Sequence, residues 1–183
     1  MYNFRSTILI HPGLGNSGRG HWQTLWEKEF GFIRVNQRDW DTPDCDEWIA
    51  TLDRSINDIG TNVIIVAHSL ACCTIVNWST RFATPLKAAL LVAPSDTEAE
   101  IYPRGTTGFT PMPLQKLRFP GIVVTSSDDP YVSVPRAEFF ASHWGCRMNK
   151  IDNAGHINVA SGFGSWPQGL ALLNELDKLP DLR

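Results

Sequence analysis

The sequence predicts an α/β fold, a single parallel β-sheet with helices on both faces. Three observations carry this expectation. Short apolar runs of strand length alternate with segments of helical period along the whole chain. One run, Asn62-Val63-Ile64-Ile65-Val66-Ala67, is too apolar to face water on either side, which is how a central parallel strand reads. The length of 183 residues, 43% hydrophobic and 19% charged, suits one folded domain with a substantial core. Residues 1–183 are therefore expected to form a single domain.

The elements follow in order. Thr7-Ile8-Leu9-Ile10 reads as a buried strand, followed by a glycine-rich loop and a helix near His21 to Phe30. Phe32 to Val35 is a second strand. Asp44 can cap a helix from about Asp46 to Ile59, with Trp48, Ile49, Leu52 and Ile56 on one face. After the central strand comes a helix from Leu70 to about Arg81, then a strand from Ala88 to Val92. The stretch from Pro94 to Phe119 is rich in Pro, Gly and Thr and is expected to be an extended, partly helical excursion. Ile122 to Thr125 resumes the sheet. A helix near Pro135 to His143, a strand from Arg147 to Ile151 and a helix from Pro167 to Leu179 complete the pattern. That makes six strands, and right-handed crossovers lead to the order 2-1-3-4-5-6.

Composition narrows the function. The net charge is −3 and the basic residues are scattered, so no footprint for nucleic acid is visible. No apolar run approaches the roughly 20 residues of a membrane helix. The first residues lack the basic and long apolar segments of a signal peptide, and a cytoplasmic location is expected. Cys45, Cys72, Cys73 and Cys146 show no metal spacing and read as small apolar residues of a reducing compartment. Neither a metal nor a cofactor is implied.

In a parallel sheet, ligands sit beyond the carboxyl ends of the strands, so chemistry is sought in the loops that follow them. The central strand runs into Ala67-His68-Ser69-Leu70-Ala71 and then a helix. That arrangement has the form of the G-x-S-x-G nucleophile elbow, with alanine at both glycine positions. A plain helix cap is the competing role for Ser69. A serine hydroxyl needs a base, itself oriented by a carboxylate, in the chain order Ser, acid, His. Asp129, in Ser127-Asp128-Asp129-Pro130, and His156, in Asn153-Ala154-Gly155-His156, follow later strands in that order. Asp128 is the neighbouring alternative, expected to brace its loop, and Asp96 is a third candidate. Among the other histidines, His11 is expected to brace the loop after the first strand, and His143 to be a surface or packing residue. His68 is expected to point away from the site. His21 also competes with His156. The oxyanion donors expected are the amides of Leu70 and of Leu14, with Gly13 as the alternative to Leu14.

A rival lies in the same loop. Gly13-Leu14-Gly15-Asn16-Ser17-Gly18 fits G-x-G-x-x-G, and Asp39 lies at about the spacing of a ribose contact, as in a Rossmann-type nucleotide-binding protein. Against it, His11-Pro12 displaces the tight turn and Asp39 falls past the end of the second strand. The same loop lacks the Lys-Ser/Thr of a P-loop, having Arg19-Gly20 instead.

Taken together, the motifs resemble the small serine hydrolases of the YdeN and retinoblastoma-binding-protein-9 type, a compact branch of the α/β-hydrolase fold. The resemblance spans nearly the whole chain. It rests on Ile10-His11-Pro12-Gly13, His21-Trp22-Gln23 with Trp26, Val66-Ala67-His68-Ser69-Leu70, Ala93-Pro94-Ser95-Asp96 and Ser127-Asp128-Asp129-Pro130-Tyr131. It continues in Gly155-His156-Ile157-Asn158 and in Gly162 through Gly169. It implies Ser69, Asp129 and His156 as a triad cleaving a small ester, thioester or amide, without a cofactor. Ala71 stands where such proteins usually carry glycine. A non-catalytic, partner-binding protein on the same fold is the competing class, although the sequence points to no particular protein partner.

There is no room for a large lid domain. Residues 98–116 are the nearest equivalent, and Tyr102, Phe109, Met112 and Leu114 either line an apolar pocket or pack the loop on the sheet. Trp22, Trp26, Trp48, Trp78 and Trp166 read as packing residues. Arg19 and Arg104 read as solvated.

Overall fold

The computed structural model describes residues 2–182. Its strands are β1 (Thr7–His11), β2 (Ile33–Arg34), β3 (Val63–His68), β4 (Ala88–Val92), β5 (Gly121–Ser126) and β6 (Arg147–Ile151). Its helices are α1 (Trp22–Phe30), α2 (Cys45–Ile59), α3 (Leu70–Arg81), α4 (Val134–Trp144) and α5 (Pro167–Asp177), with one 3₁₀ turn at Val159–Ser161. The strands form one sheet in the order β2-β1-β3-β4-β5-β6, and every pairing is parallel. The α/β-hydrolase order expected from the sequence is the order observed.

The apolar runs have a direct cause. β3, β4 and β5 are buried at every position, because helices cover both faces and neither side of these strands meets water. One layer packs α2, α3 and α4 through Trp48, Leu52, Ile56, Trp78, Phe140 and Trp144. The other packs α1 and α5 through Trp22, Trp26, Leu170 and Leu173. Asp44 caps α2 by accepting from the amides of Asp46 and Glu47, and Gly31 and Gly145 close α1 and α4 in the left-handed conformation.

Two expectations need correction. The second strand is shorter than expected, because at the sheet edge only Ile33 and Arg34 pair with β1. The excursion after β4 contains no helix; prolines interrupt it and tertiary contacts hold it instead. Phe109 and Met112 are buried in the first core layer, Leu114 is exposed, and the Trp144 indole donates to Pro113 O at 2.8 Å.

Candidate active site

β3 delivers Ser69 directly to the carboxyl edge of the sheet. Ser69 has φ 58° and ψ −126°, a conformation that side chains adopt only under strain, and Leu70 opens α3 immediately behind it. Its side chain makes no capping bond to the helix, so the helix-cap role has no support. The tight turn is made possible across the sheet at Gly13. A Cβ there would lie 2.7 Å from His68 O and 2.8 Å from the Ser69 Cβ. The first glycine of the G-x-G-x-x-G run thus lets one backbone approach the elbow. The rest of that run does not open a helix, since α1 begins only at Trp22. The Asp39 carboxylate is occupied by the Asp41 and Thr42 amides of its own turn.

From Ser69 a chain of hydrogen bonds leads inward. Ser69 Oγ lies 2.8 Å from His156 Nε2, and His156 Nδ1 lies 2.9 and 3.0 Å from the two oxygens of Asp129. A carboxylate facing Nδ1 requires the ring proton there, which leaves the Nε2 lone pair for the Ser69 hydroxyl. Ser69 Oγ also lies 3.0 Å from Ser95 Oγ, just beyond β4. Because the Ser69 proton points to His156, the Ser95 hydroxyl is the donor in that second bond. The Asp129 side chain is fully buried and accepts from the Tyr131 amide.

The other two carboxylates lie elsewhere. Asp128 accepts from Ser126 Oγ and from the Gly155 amide, both at 2.7 Å, and so ties the β5 loop to the loop carrying His156. The Ser126 hydrogen bond first, and the Gly155 amide next, hold its carboxyl below the usual range. Asp96 is paired with Arg136, whose guanidinium donates to both of its oxygens at 2.7 and 3.0 Å.

The histidines divide by position. His11 is buried behind the site, bonded to Pro12 O and Gln37, and burial lowers it to about 4. His143 is an exposed residue of α4 that bonds Phe139 O. His68 departs from expectation. Its ring lines the site, lies tilted 4.9 Å from His156 and donates to His156 O at 2.9 Å. The ring is held there by a partner 88 residues away, which local sequence does not reveal.

The loop bearing His156 is itself strained and anchored. Gly155 takes φ 50°, where a Cβ would meet Ser161 Oγ at 2.4 Å, and Ile157 takes φ 49°. Trp22 Nε1 donates to Ile157 O at 2.8 Å, and Trp26 Nε1 does the same to Ser165 O. These indoles are buried packing residues, as expected, and they also position the loop.

Ser69, His156, His68, Ser95 and Tyr131 line a cleft of about 190 Å³, with Leu14, Asn16, His21, Tyr102, Pro103 and Asn158 around them. Tyr102 and Pro103 bring the excursion to the cleft; Phe109, Met112 and Leu114 do not reach it, and Arg19 and Arg104 are exposed away from it. The amides of Leu14 and Leu70 make no hydrogen bond to other described residues.

The model of the serine hydrolase family matches residues 8–175. The chain belongs to the serine hydrolase family. Solved structures agree with the assignment. A YdeN-like hydrolase of Pectobacterium atrosepticum is 29% identical, with a TM-score of 0.85 over 95% of this chain and 92% of that one. The ydeN gene product of B. subtilis is 19% identical, with a TM-score of 0.71 over 93% and 98%. A hydrolase of Oleispira antarctica, 13% identical, shares the fold with a TM-score of 0.67 over 96% and 92%. No curated protein matches. The chain is a small α/β serine hydrolase of the YdeN type.

In this serine hydrolase, sequence reasoning gave no role in the cleft to three of its residues, and weighed one of them, His21, only as a rival to His156. Ser95 lies in the Ala93-Pro94-Ser95-Asp96 motif, whose position after a strand was the available signal. Tyr131 packs edge-on against His156 at 4.6 Å. His21, the cap of α1, faces the cleft although it lies 48 positions before Ser69 in the sequence. Among the described residues no cluster of His, Cys, Asp or Glu could hold a metal ion, and no helix is long and apolar enough to cross a membrane.

Proposed function

We propose that this serine hydrolase cleaves small esters by acyl transfer through Ser69, with His156 as base and Asp129 as its orienting carboxylate. The observation that carries the reading is the unbroken chain from Ser69 Oγ through His156 to a fully buried carboxylate.

The chemistry follows from the geometry. His156 Nε2 takes the Ser69 proton as Ser69 Oγ bonds to the carbonyl carbon. Negative charge develops on the carbonyl oxygen and is stabilised by the free amides of Leu14 and Leu70 at the amino end of α3. The imidazolium, stabilised by Asp129, gives its proton to the leaving oxygen as the C–O bond breaks. Water then attacks the acyl-serine carbonyl and passes a proton to His156, which returns it to Ser69 Oγ as the acyl–oxygen bond breaks and the carboxylic acid leaves. Ser95 donates to Ser69 Oγ and steadies the alkoxide character that grows there.

The test is hydrolysis of p-nitrophenyl butyrate. Ser69→Ala is expected to lose at least about 10⁴-fold in kcat, and Asp129→Asn about 10³- to 10⁴-fold, because the wrong tautomer of His156 then faces Ser69. Asp128→Asn, which alters a loop brace, should lose far less. A larger loss for Asp128→Asn would transfer the acid role to Asp128.

A further inference from the structure

Acyl transfer through Ser69 leaves polar atoms of the cleft-lining residues unused: the buried Tyr102 hydroxyl is one, and two more belong to neighbouring histidines. His21 Nδ1 accepts the Gln23 amide at 3.2 Å as the cap of α1, so the proton of the neutral ring sits on Nε2. That Nε2–H is buried and has no partner, while His21 as a whole is 6% exposed and lines the cleft. His68 is its complement. Its Nε2–H is spent on His156 O, which leaves the Nδ1 lone pair without a hydrogen-bond partner among the described residues. The two rings are 4.9 Å apart, and His68 is 4.9 Å from His156.

Both rings are neutral at neutral pH. Burial first, then the charges of Arg34 and His156, lowers His21 to about 4; burial, then His156 and His21, holds His68 well below its ordinary value. A buried donor without a partner costs about 1–3 kcal/mol, so a bound group that completes it is favoured. One fixed donor beside one fixed acceptor, neither charged, matches a hydroxyl group, which both accepts and donates. A carboxylate would meet a single donor and a repelling lone pair; an ammonium would meet a repelling N–H. The cleft of about 190 Å³ has room for roughly six non-hydrogen atoms at a water-like ~30 Å³ each. A short chain with one polar substituent fits that space.

We propose that His21 and His68 form a subsite for a hydroxyl group close to the scissile carbonyl, which makes hydroxylated short-chain esters the substrate class. This rests on Ser69 being the nucleophile of the cleft. Two matched pairs of esters test it. p-Nitrophenyl 3-hydroxybutyrate against p-nitrophenyl butyrate places the hydroxyl on the acyl side. 2-Hydroxyethyl butyrate against ethyl butyrate places it on the alcohol side. In one of the two pairs kcat/KM is expected to favour the hydroxylated member at least tenfold. In His21→Ser, which keeps a side-chain cap on α1 but withdraws the Nε2–H, that ratio should fall to near one.

Equal kcat/KM within both pairs of the wild type overturns the proposal and assigns the two rings to an ordered water. A preference that survives in His21→Ser overturns it as well. Fluorophosphonate labelling separates the two layers of the reading. If Ser69 takes no label and none of the four esters is cleaved, the nucleophile assignment fails and this subsite with it. Labelled enzyme that shows no preference, or cleaves none of the four, removes the subsite alone.

Discussion

On one face of the sheet, α2, α3 and α4 bury Trp48, Leu52, Ile56, Phe140 and Trp144, and the Trp48 and Trp144 indoles donate to carbonyls of Asp39 and Pro113, in loops that do not carry the triad. On the other, α1 and α5 bury Trp22, Trp26 and Leu173, and here the two indoles hold the backbone that follows His156, at Ile157 and Ser165. The first layer sets the sheet and therefore the position of Ser69 at the end of β3. The second layer sets the loop that brings His156 to it. Both faces fill volume and tie down loops with indole donors; they differ in that only the second face ties down the strained loop that carries His156.

Three substitutions or conditions probe that contrast. The largest effect on stability is expected on the first face, where Leu52→Ala opens a cavity in α2 and should cost about 2–5 kcal/mol by urea unfolding. Its kcat should stay within about twofold of wild type, since Leu52 touches nothing in the cleft. Next comes acid. His11, on the same face beside Trp48, is lowered from 6.5 to about 4 by burial. Between those values the unfolded chain binds a proton that the native protein does not, so stability falls as pH drops from 6.5 toward 4. Unfolding at pH 7 and 4.5 should differ by on the order of 2–3 kcal/mol from this residue, and His11→Gln should remove that share of the slope while His21 and His68 keep theirs.

The smallest loss of stability, about 1–3 kcal/mol, is expected from Trp22→Phe on the second face, because the Ile157 carbonyl loses its donor. Here kcat should drop at least tenfold, since Ile157 follows His156 and holds φ 49°. A Trp22→Phe enzyme with wild-type kcat would erase the distinction between the faces.

Legibility of the sequence follows the same division. α3, β4 and β6 lie where periodicity and breakers put them, because each is a local pattern covered by regular packing. The four buried residues expected on α2 are buried, for the same reason. The excursion between β4 and β5 defied that reasoning. Its shape depends on Phe109 and Met112 entering a distant core, on Arg136 pairing with Asp96 and Glu98, and on a bridge between Asp44 and Thr107. None of these contacts has a local signature. Asp129 and His156 could be named from chain order and strand ends. Ser95 also follows a strand end, but its bond to Ser69 and the inward ring of His68 could not be read there, because each depends on a partner brought across the sheet edge. Trp22 was readable as buried, but its N–H bond to Ile157, 135 residues on, was not.

Every step proposed for the cleft depends on Ser69. The most direct measurement is a fluorophosphonate reaction with the folded protein, followed by peptide mass spectrometry. A single adduct on Ser69, absent from Ser69→Ala and much slowed in His156→Ala, is the predicted result. Folded protein that takes no label, or takes it at another residue, would contradict the assignment.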